Sequence, residues 1–193
     1  MSKLLSWGNV LTLPFRVFPN GRQTDCSRWL AARVSAAHLL SSYPDVPLTI
    51  DSFLAQSDIA QNHLWPTVEP LPGALRLVRH LYAHGIPIAI ATGGRRFKFL
   101  SKTKHLQDLF ACFEGKAVCA DDFPGLMRGK PEPDMFLMAA KERLGFAVGN
   151  VQGSCTDEEK KVRAKGLVFE DGLAGVQGGK RAGMNGAFNL FGS

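Results

Sequence analysis

No apolar run in this chain approaches the roughly 20 residues that a membrane-spanning helix needs. Cysteine is scarce. Cys26, Cys112, Cys119 and Cys155 are the 4 present, none forms a CxxC pair, and no paired-histidine motif accompanies them. A structural zinc site and a disulfide framework are therefore not expected, and reduced thiols in a cytoplasmic protein fit best. There is no internal repeat and no low-complexity tract. Residues 1–24 carry no acid, only Lys3, Arg16 and Arg22, which weakly suits a presequence; "LLSWGNVLTLPF" could serve as a short signal region, but no small-x-small cleavage site follows it. The cytoplasm is the default expectation.

What is present is an ordinary globular composition: 193 residues, 45% hydrophobic and 21% charged, enough for one α/β domain and a small appended piece. A net charge of +6 suits anionic ligands without choosing among phosphorylated metabolites, nucleic acid and anionic membrane. Residues 1–26 show no clear period, and Pro14 interrupts the strand-like "VLTLPFRVF". From Ser27 to Ser42 the pattern is helical, with Leu30, Val34, Ala37 and Leu40 on one face; a second helix, capped by Thr49, covers residues 50–65 with Phe53, Leu54, Ile59, Ala60 and Leu64 as its apolar positions. "PLPGALRLVRHLYAHG" reads as a helix between Pro72 and Gly85 with a stripe of Leu75, Val78, Leu81 and Tyr82.

Further on, "IPIAIAT", "KAVCA", "LVFED" and "NGAFNLF" read as strands, the first buried on both faces. They alternate with helices in the basic stretch Arg95–Lys104, in "PEPDMFLMAAKERLG" and in "GLAGVQGGKRAGM". Residues 146–165 read as a surface insertion. The alternation predicts an α/β fold, a doubly wound parallel sheet with helices on both faces.

Three chemical features fall at strand ends or just beyond: Thr92, Lys130 in "GKPEPD", and the Glu170-Asp171 pair. Ligands of such sheets bind outside the carboxyl ends of the strands. A hydroxyl with the N–H groups of Gly93 and Gly94 can cradle phosphate oxygens, an ammonium can neutralise a phosphoryl group, and paired carboxylates can hold Mg²⁺.

"IAIATGG", "GKPEPDMFLMAAKERLG" and "LVFEDGLAGVQGGKRAGM" resemble the second, third and fourth motifs of haloacid dehalogenase superfamily phosphatases, most closely the sugar- and nucleotide-phosphate phosphatases typified by pseudouridine-5'-phosphatase and 2-deoxyglucose-6-phosphatase. The resemblance spans residues 28–188. It implies a Rossmann-like core over residues 67–193, a partial α-helical cap over 27–66 and a non-matching segment over 1–26. It also implies Mg²⁺-dependent phosphoryl transfer through an aspartyl-phosphate. Thr92, Gly93 and Lys130 would then bind phosphate, Thr92 and Lys130 serving catalysis, and Glu170 and Asp171 would hold the metal. The partner would be a small phosphorylated metabolite, with no nucleic acid and no membrane.

One motif of that family is missing. Its N-terminal strand ends in Asp-x-Asp-Gly, and no Asp-x-Asp occurs anywhere in this chain. The best local match, "VFPNG", places Phe18 at the nucleophile position and Asn20 at the acid/base position. The first strand and part of the cap are thus expected to be absent. A truncated or mis-spliced product is favoured over a natural pseudoenzyme, because a strand and a cap helix are missing, not one residue. Either way the polypeptide as written is expected to be non-catalytic, retaining at most phosphate, Mg²⁺ or protein binding. Residues 8–18 are expected to fill the central gap poorly or leave it open.

Other patterns lack a residue they need. "AGVQGGKR" has Ala174 and Arg181 where a phosphate-binding P-loop needs Gly and Ser/Thr, and His80 and His84 lack the Glu that zinc peptidases place after the first histidine. The basic run Arg95–Lys104 has no aromatic stacking platform for nucleic acid.

Overall fold

A computed structural model of the chain describes residues 32–188. The expectations placed on residues 1–26, on Leu30 and on the end of the last strand lie outside the described residues. The chain divides between Val68 and Glu69 into two compact units. No helix among the described residues is long and apolar enough to cross a membrane.

The described part of the first unit is a helical hairpin, α1 (Ala32–Ser41) against α2 (Ile50–Leu64), followed by a single 3-10 turn over Trp65–Thr67. Thr49 caps α2 as its position suggests. Its hydroxyl accepts the Ser52 N–H at 3.1 Å, and the Ser52 hydroxyl accepts the Thr49 N–H at 3.0 Å, a reciprocal capping box. Arg33 and Asp51, both largely exposed, pair across the hairpin. The apolar stripes differ from expectation. Val34 and Ala37 are exposed, and among the described side chains of α1 Ala36 is buried, while α2 buries none of its side chains and leaves Ile59 62% exposed. Ala36 lies about 160° round the helix from Val34, so the buried position falls nearly opposite that residue of the expected stripe.

The second unit holds the parallel strands. Helix α3 (Ala74–Ala83) starts after Gly73, whose φ of 83° demands glycine, and buries Val78 and Leu81. Tyr82 leaves the expected stripe: it is half exposed, and its hydroxyl donates to Glu114 Oε1 at 3.2 Å. Strand β1 (Ile90–Thr92) pairs in parallel with β2 (Ala117–Cys119), Ile90 opposite Ala117 and Thr92 opposite Cys119. Between them run α4 (Arg96–Thr103), α5 (Gln107–Phe110) and a 3-10 turn over Ala111–Phe113. Helix α6 (Asp134–Met138) continues into a π-helical turn, Ala139–Arg143. Then follow α7 (Asp157–Arg163), β3 (Leu167–Glu170), α8 (Leu173–Arg181) and β4 (Asn185–Phe188), with β3 and β4 parallel and Leu167 opposite Asn185.

Alternation along the strands sorts side chains into two core layers. Ala89, Ala91, Val118 and Val168 join Met135–Ala140 of α6 and its π turn in one cluster. Ile88, Ile90 and Ala117, with Phe169 packed against them, join Val78 and Leu81 of α3, Leu109 of α5 and Phe113 in the other. The two strand pairs therefore share both layers, with helices on both faces, as an α/β doubly wound core requires. Among the described residues the strands form two parallel pairs, and no ladder joins β1 to β3. The resemblance puts the family's first strand mid-sheet, where this division falls; residues 8–18 lie outside the described residues.

The segment 146–165, expected as a surface insertion, is partly built into the unit. Val148 is buried in the first cluster, Phe146, Val151 and Val162 pack against it, and the buried Arg163 donates to the carbonyls of Val148 at 2.7 Å and Asn150 at 2.9 Å. Its polar composition hides this, because a few scattered apolar residues and one arginine make the attachment.

Gly178, inside α8, costs helix propensity but brings α8 close to α6: a Cβ there would lie 2.8 Å from Phe136 Cε2 and 3.2 Å from the Glu132 carbonyl oxygen. Overpacking costs about 1–3 kcal/mol, more than the roughly 1 kcal/mol that alanine gains over glycine in a helix. Gly178→Ala is therefore expected to lower the urea midpoint of unfolding; an unchanged or raised midpoint would mean that α8 shifts freely away from α6.

Candidate active site

The site lies in the second unit, where β1 and β3 end. Thr92 is the last residue of β1, and its hydroxyl accepts the Gly94 N–H at 3.1 Å. The sequence suggests that both glycine N–H groups are available to a ligand; Gly94 spends its own on Thr92. Gly93 is exposed. The loop is fastened on its far side, where the Gly94 carbonyl accepts the Ala120 N–H at 3.1 Å and the Arg96 N–H donates to Asp121 Oδ1 at 2.7 Å.

Arg96 closes this fastening. Its Nε donates to Asp122 Oδ1 at 2.9 Å, its Nη2 to the Ala117 carbonyl at 3.0 Å, and the same Nη2 pairs with Asp122 Oδ2. Arg143, at the end of the π turn, reaches the Ala117 carbonyl at 2.9 Å and Asp122 Oδ2 at 3.4 Å. Burial alone would raise the Asp122 carboxyl, but the Arg96 guanidinium and the Cys119 N–H outweigh it and hold it below the usual carboxylate value. The buried Cys119 thiol has no such compensation. Burial pushes it up to about 11, despite the opposing field of Arg96.

Lys130 and Glu170 come together across 40 positions of sequence. Lys130 Nζ donates to Glu170 Oε2 at 2.6 Å, with the two side chains only 15% and 9% exposed, and the ammonium lies 5.1 Å from the centre of the Phe136 ring. Gly175 permits this: a methyl group there would overlap the Glu170 carboxyl group, which lies directly over the first turn of α8. Asp171 follows Glu170 at the strand end and is partly buried. Thr92 ends a strand whose Ala91 shares a core cluster with Val168 of β3 and with Phe136, the ring beneath Lys130. The structure thus joins Lys130 directly to Glu170; Asp171 is the next residue along the chain, and Thr92 is linked to the pair only through the core that its neighbour Ala91 shares with Val168 and Phe136.

The chain belongs to the haloacid dehalogenase-like hydrolase family. The family model, "haloacid dehalogenase-like hydrolase", matches residues 50–183. The Arabidopsis thaliana protein "(DL)-glycerol-3-phosphatase 1, mitochondrial" is 40% identical over 138 residues, covering 72% of this chain and 41% of that protein. The Saccharomyces cerevisiae protein named "Probable pseudouridine-5'-phosphatase" is 34% identical over 143 residues, covering 72% and 55%. The chain spans about half the length of the curated relatives it matches. Among solved structures, a HAD hydrolase from Entamoeba histolytica aligns with a TM-score of 0.59 at 20% identity over 83% of this chain and 64% of that one. A HAD family hydrolase from Deinococcus radiodurans, with bound phosphate and sodium, aligns at 0.57 and 19% identity over 95% and 80%. The HAD-like α/β core is therefore the fold of this chain.

Phosphatases of this family generally use Mg²⁺. Among the described residues no group of three or more His, Cys, Asp or Glu side chains forms a metal cluster. Mg²⁺ asks less of a protein, commonly one or two carboxylates with water and phosphate oxygens completing the shell. The adjacent carboxylates of Glu170 and Asp171 supply hard oxygen donors of that kind, so the donor chemistry fits, with Glu170 shared with Lys130.

The groups that sequence reasoning missed are the anchors: Asp122 with Arg96 and Arg143, and Asp134 with Arg128. The buried Asp134 accepts from the Arg128 N–H at 2.9 Å, its Nε at 3.0 Å and its Nη2 at 2.7 Å, and from Gln152 Nε2 at 3.0 Å. The signal was an acid opening the apolar run "DMFLM", six residues after an arginine. Burial alone would raise the Asp134 carboxyl too, and the Arg128 bonds hold it below the ordinary value.

Two expectations follow. A carboxylate whose folded pKa is depressed contributes stability above its unfolded pKa, about 3.9 for Asp, and loses it as pH falls through the folded value. Urea titrations should therefore show stability falling below about pH 4 as Asp122 and Asp134 take up protons, with a shallower fall in Asp122→Asn. Iodoacetamide at mildly alkaline pH should alkylate the half-buried Cys112 and Cys155 well before Cys119, read by peptide mass spectrometry.

Proposed function

We propose that the second unit binds the phosphoryl group of a small phosphorylated sugar or nucleoside, and that these 193 residues do so without turning it over. The observation that carries the reading is the largely buried Lys130–Glu170 pair at the end of β3, beside Asp171. A lone buried ammonium is costly. Held on Glu170 and over the Phe136 ring, it keeps a positive charge at a strand end, where an anionic ligand exchanges solvent for that charge. Thr92 contributes a hydroxyl that can donate to a phosphate oxygen while still accepting from Gly94. The exposed Gly93 N–H adds a second donor. Glu170 and Asp171 would hold Mg²⁺, which when bound supplies positive charge against the phosphate oxygens.

The relatives support the substrate class, since the names of three of them specify glycerol-3-phosphate, pseudouridine-5'-phosphate and FMN as what they dephosphorylate. The lack of turnover rests on the sequence, in which no Asp-x-Asp is present and Phe18 stands at the matching nucleophile position. Phenylalanine cannot attack phosphorus.

Inorganic phosphate is expected to raise the melting temperature of the purified protein, an effect that grows with concentration as mass action requires. Lys130→Met should abolish the shift. With p-nitrophenyl phosphate and Mg²⁺, no turnover above buffer is expected. Turnover that Asp171→Ala removes would replace the binding reading with the enzymatic one that the relatives' names favour. A missing phosphate effect in the unaltered chain would end both.

A further inference from the structure

The loop that carries Lys130 is a short turn, closed by the Glu132 N–H on the Gly129 carbonyl at 3.0 Å and touched by Arg181 Nη1 at the Pro131 carbonyl at 3.3 Å. Gly129 and Lys130 lie between an exposed segment, Pro124–Leu126, and the start of α6. Lys130 nevertheless points its ammonium at Glu170 with 15% exposure. The loop is gripped from below. Asp134, 0% exposed, accepts both the main-chain N–H and the guanidinium of Arg128 and also takes Gln152 Nε2, from the segment before α7. Glu132 adds an outer brace, pairing with Arg128 Nη1 at 3.4 Å and with Arg181 of α8 at 2.9 Å. Arg128 and Asp134 thus clasp the loop at its two ends, with Lys130 between them.

We propose that Asp134 is a positioning residue: its buried carboxylate, acting through Arg128, fixes the Gly129–Lys130 loop so that the Lys130 ammonium stays on Glu170 and faces the phosphoryl group. The phosphate part of this rests on the function proposed above; the positioning part does not. The partners of Asp134 are Arg128 and Gln152, so it acts on Lys130 through the loop. It cannot be replaced by a neutral residue of the same shape, because an amide presents one acceptor where the carboxylate presents two, and its NH₂ group opposes the Arg128 N–H groups. Asp134 itself is 0% exposed, so bulk solvent does not reach its carboxylate to make up the difference. Arg128 is half exposed, so its own truncation costs little burial.

The test reads Lys130 directly. Trace acetylation of all lysines, quantified by peptide mass spectrometry, should find Lys130 slow and the exposed Lys141 and Lys160 fast in the unaltered protein. In Asp134→Asn, Lys130 is expected to acetylate about tenfold faster, the loss of one charged hydrogen bond at the low end of its range. The half-buried Lys102 of α4 should keep its rate. A purely structural role would loosen Lys102 and Lys130 together. Should Asp134→Asn fail to fold, Arg128→Ala gives the same local readout, and Arg128→Lys should restore part of the protection. An unchanged Lys130 rate in both Asp134→Asn and Arg128→Ala would overturn the proposal. Phosphate affinity, read from thermal shifts, should weaken about tenfold in Asp134→Asn. If the unaltered protein shows no phosphate shift while Lys130 is unmasked in the variants, the binding reading fails and the positioning role stands.

Discussion

An ammonium and a carboxylate meeting at 2.6 Å with little exposure set the terms for everything around them. Such a pair gains from its mutual attraction only if its geometry is held, since both charges have given up water. The chain holds it from three directions. Gly175 leaves space for the Glu170 carboxyl over α8, Phe136 supplies a ring face beneath the ammonium, and the Arg128–Asp134 clasp fixes the loop that delivers Lys130. A hydrophobic pair of equal volume would be as stable or more so. Keeping the charges makes sense where a ligand needs them.

The second anchor works alike with different residues. Asp122 gathers Arg96, Arg143 and the Cys119 N–H at the end of β2, and through Arg96 it tethers the turn that follows Thr92. Each strand-end loop is thus short and exposed, while the acid that secures it lies deeper. This division lets the loops stay exposed without losing their shape.

Much of this is legible in the sequence and some is not. The strands "IAIAT" and "LVFED" stand out because an unbroken apolar run that ends in a hydroxyl or in acids is the pattern of a buried strand reaching a crevice. Lys130 stands out because the motif around it is specific. Asp122 does not, because its partners Arg96 and Arg143 come from 26 and 21 positions away; Asp134 gives only a faint signal, since an acid that opens an apolar helix near an arginine looks like an ordinary helix-start residue. Val148 is hidden by polar neighbours. In the helical hairpin the pattern misleads for the opposite reason, because alanine and scattered aliphatic residues imitate a stripe without defining one, and Ile59 and Val34 are exposed.

The π turn at Ala139–Arg143 has a geometric consequence of its own. An extra residue in a helical turn rotates all that follows by about 100° relative to an ordinary α-helix. Here the rotated residue is Arg143, which closes on the Ala117 carbonyl and on Asp122. Removing one residue from the turn would swing that guanidinium a quarter-circle or more away from the strand end, while leaving the number of charges and the apolar content of the unit nearly as they were. Helical phase, as well as residue identity, is therefore part of what this chain encodes at the end of β2.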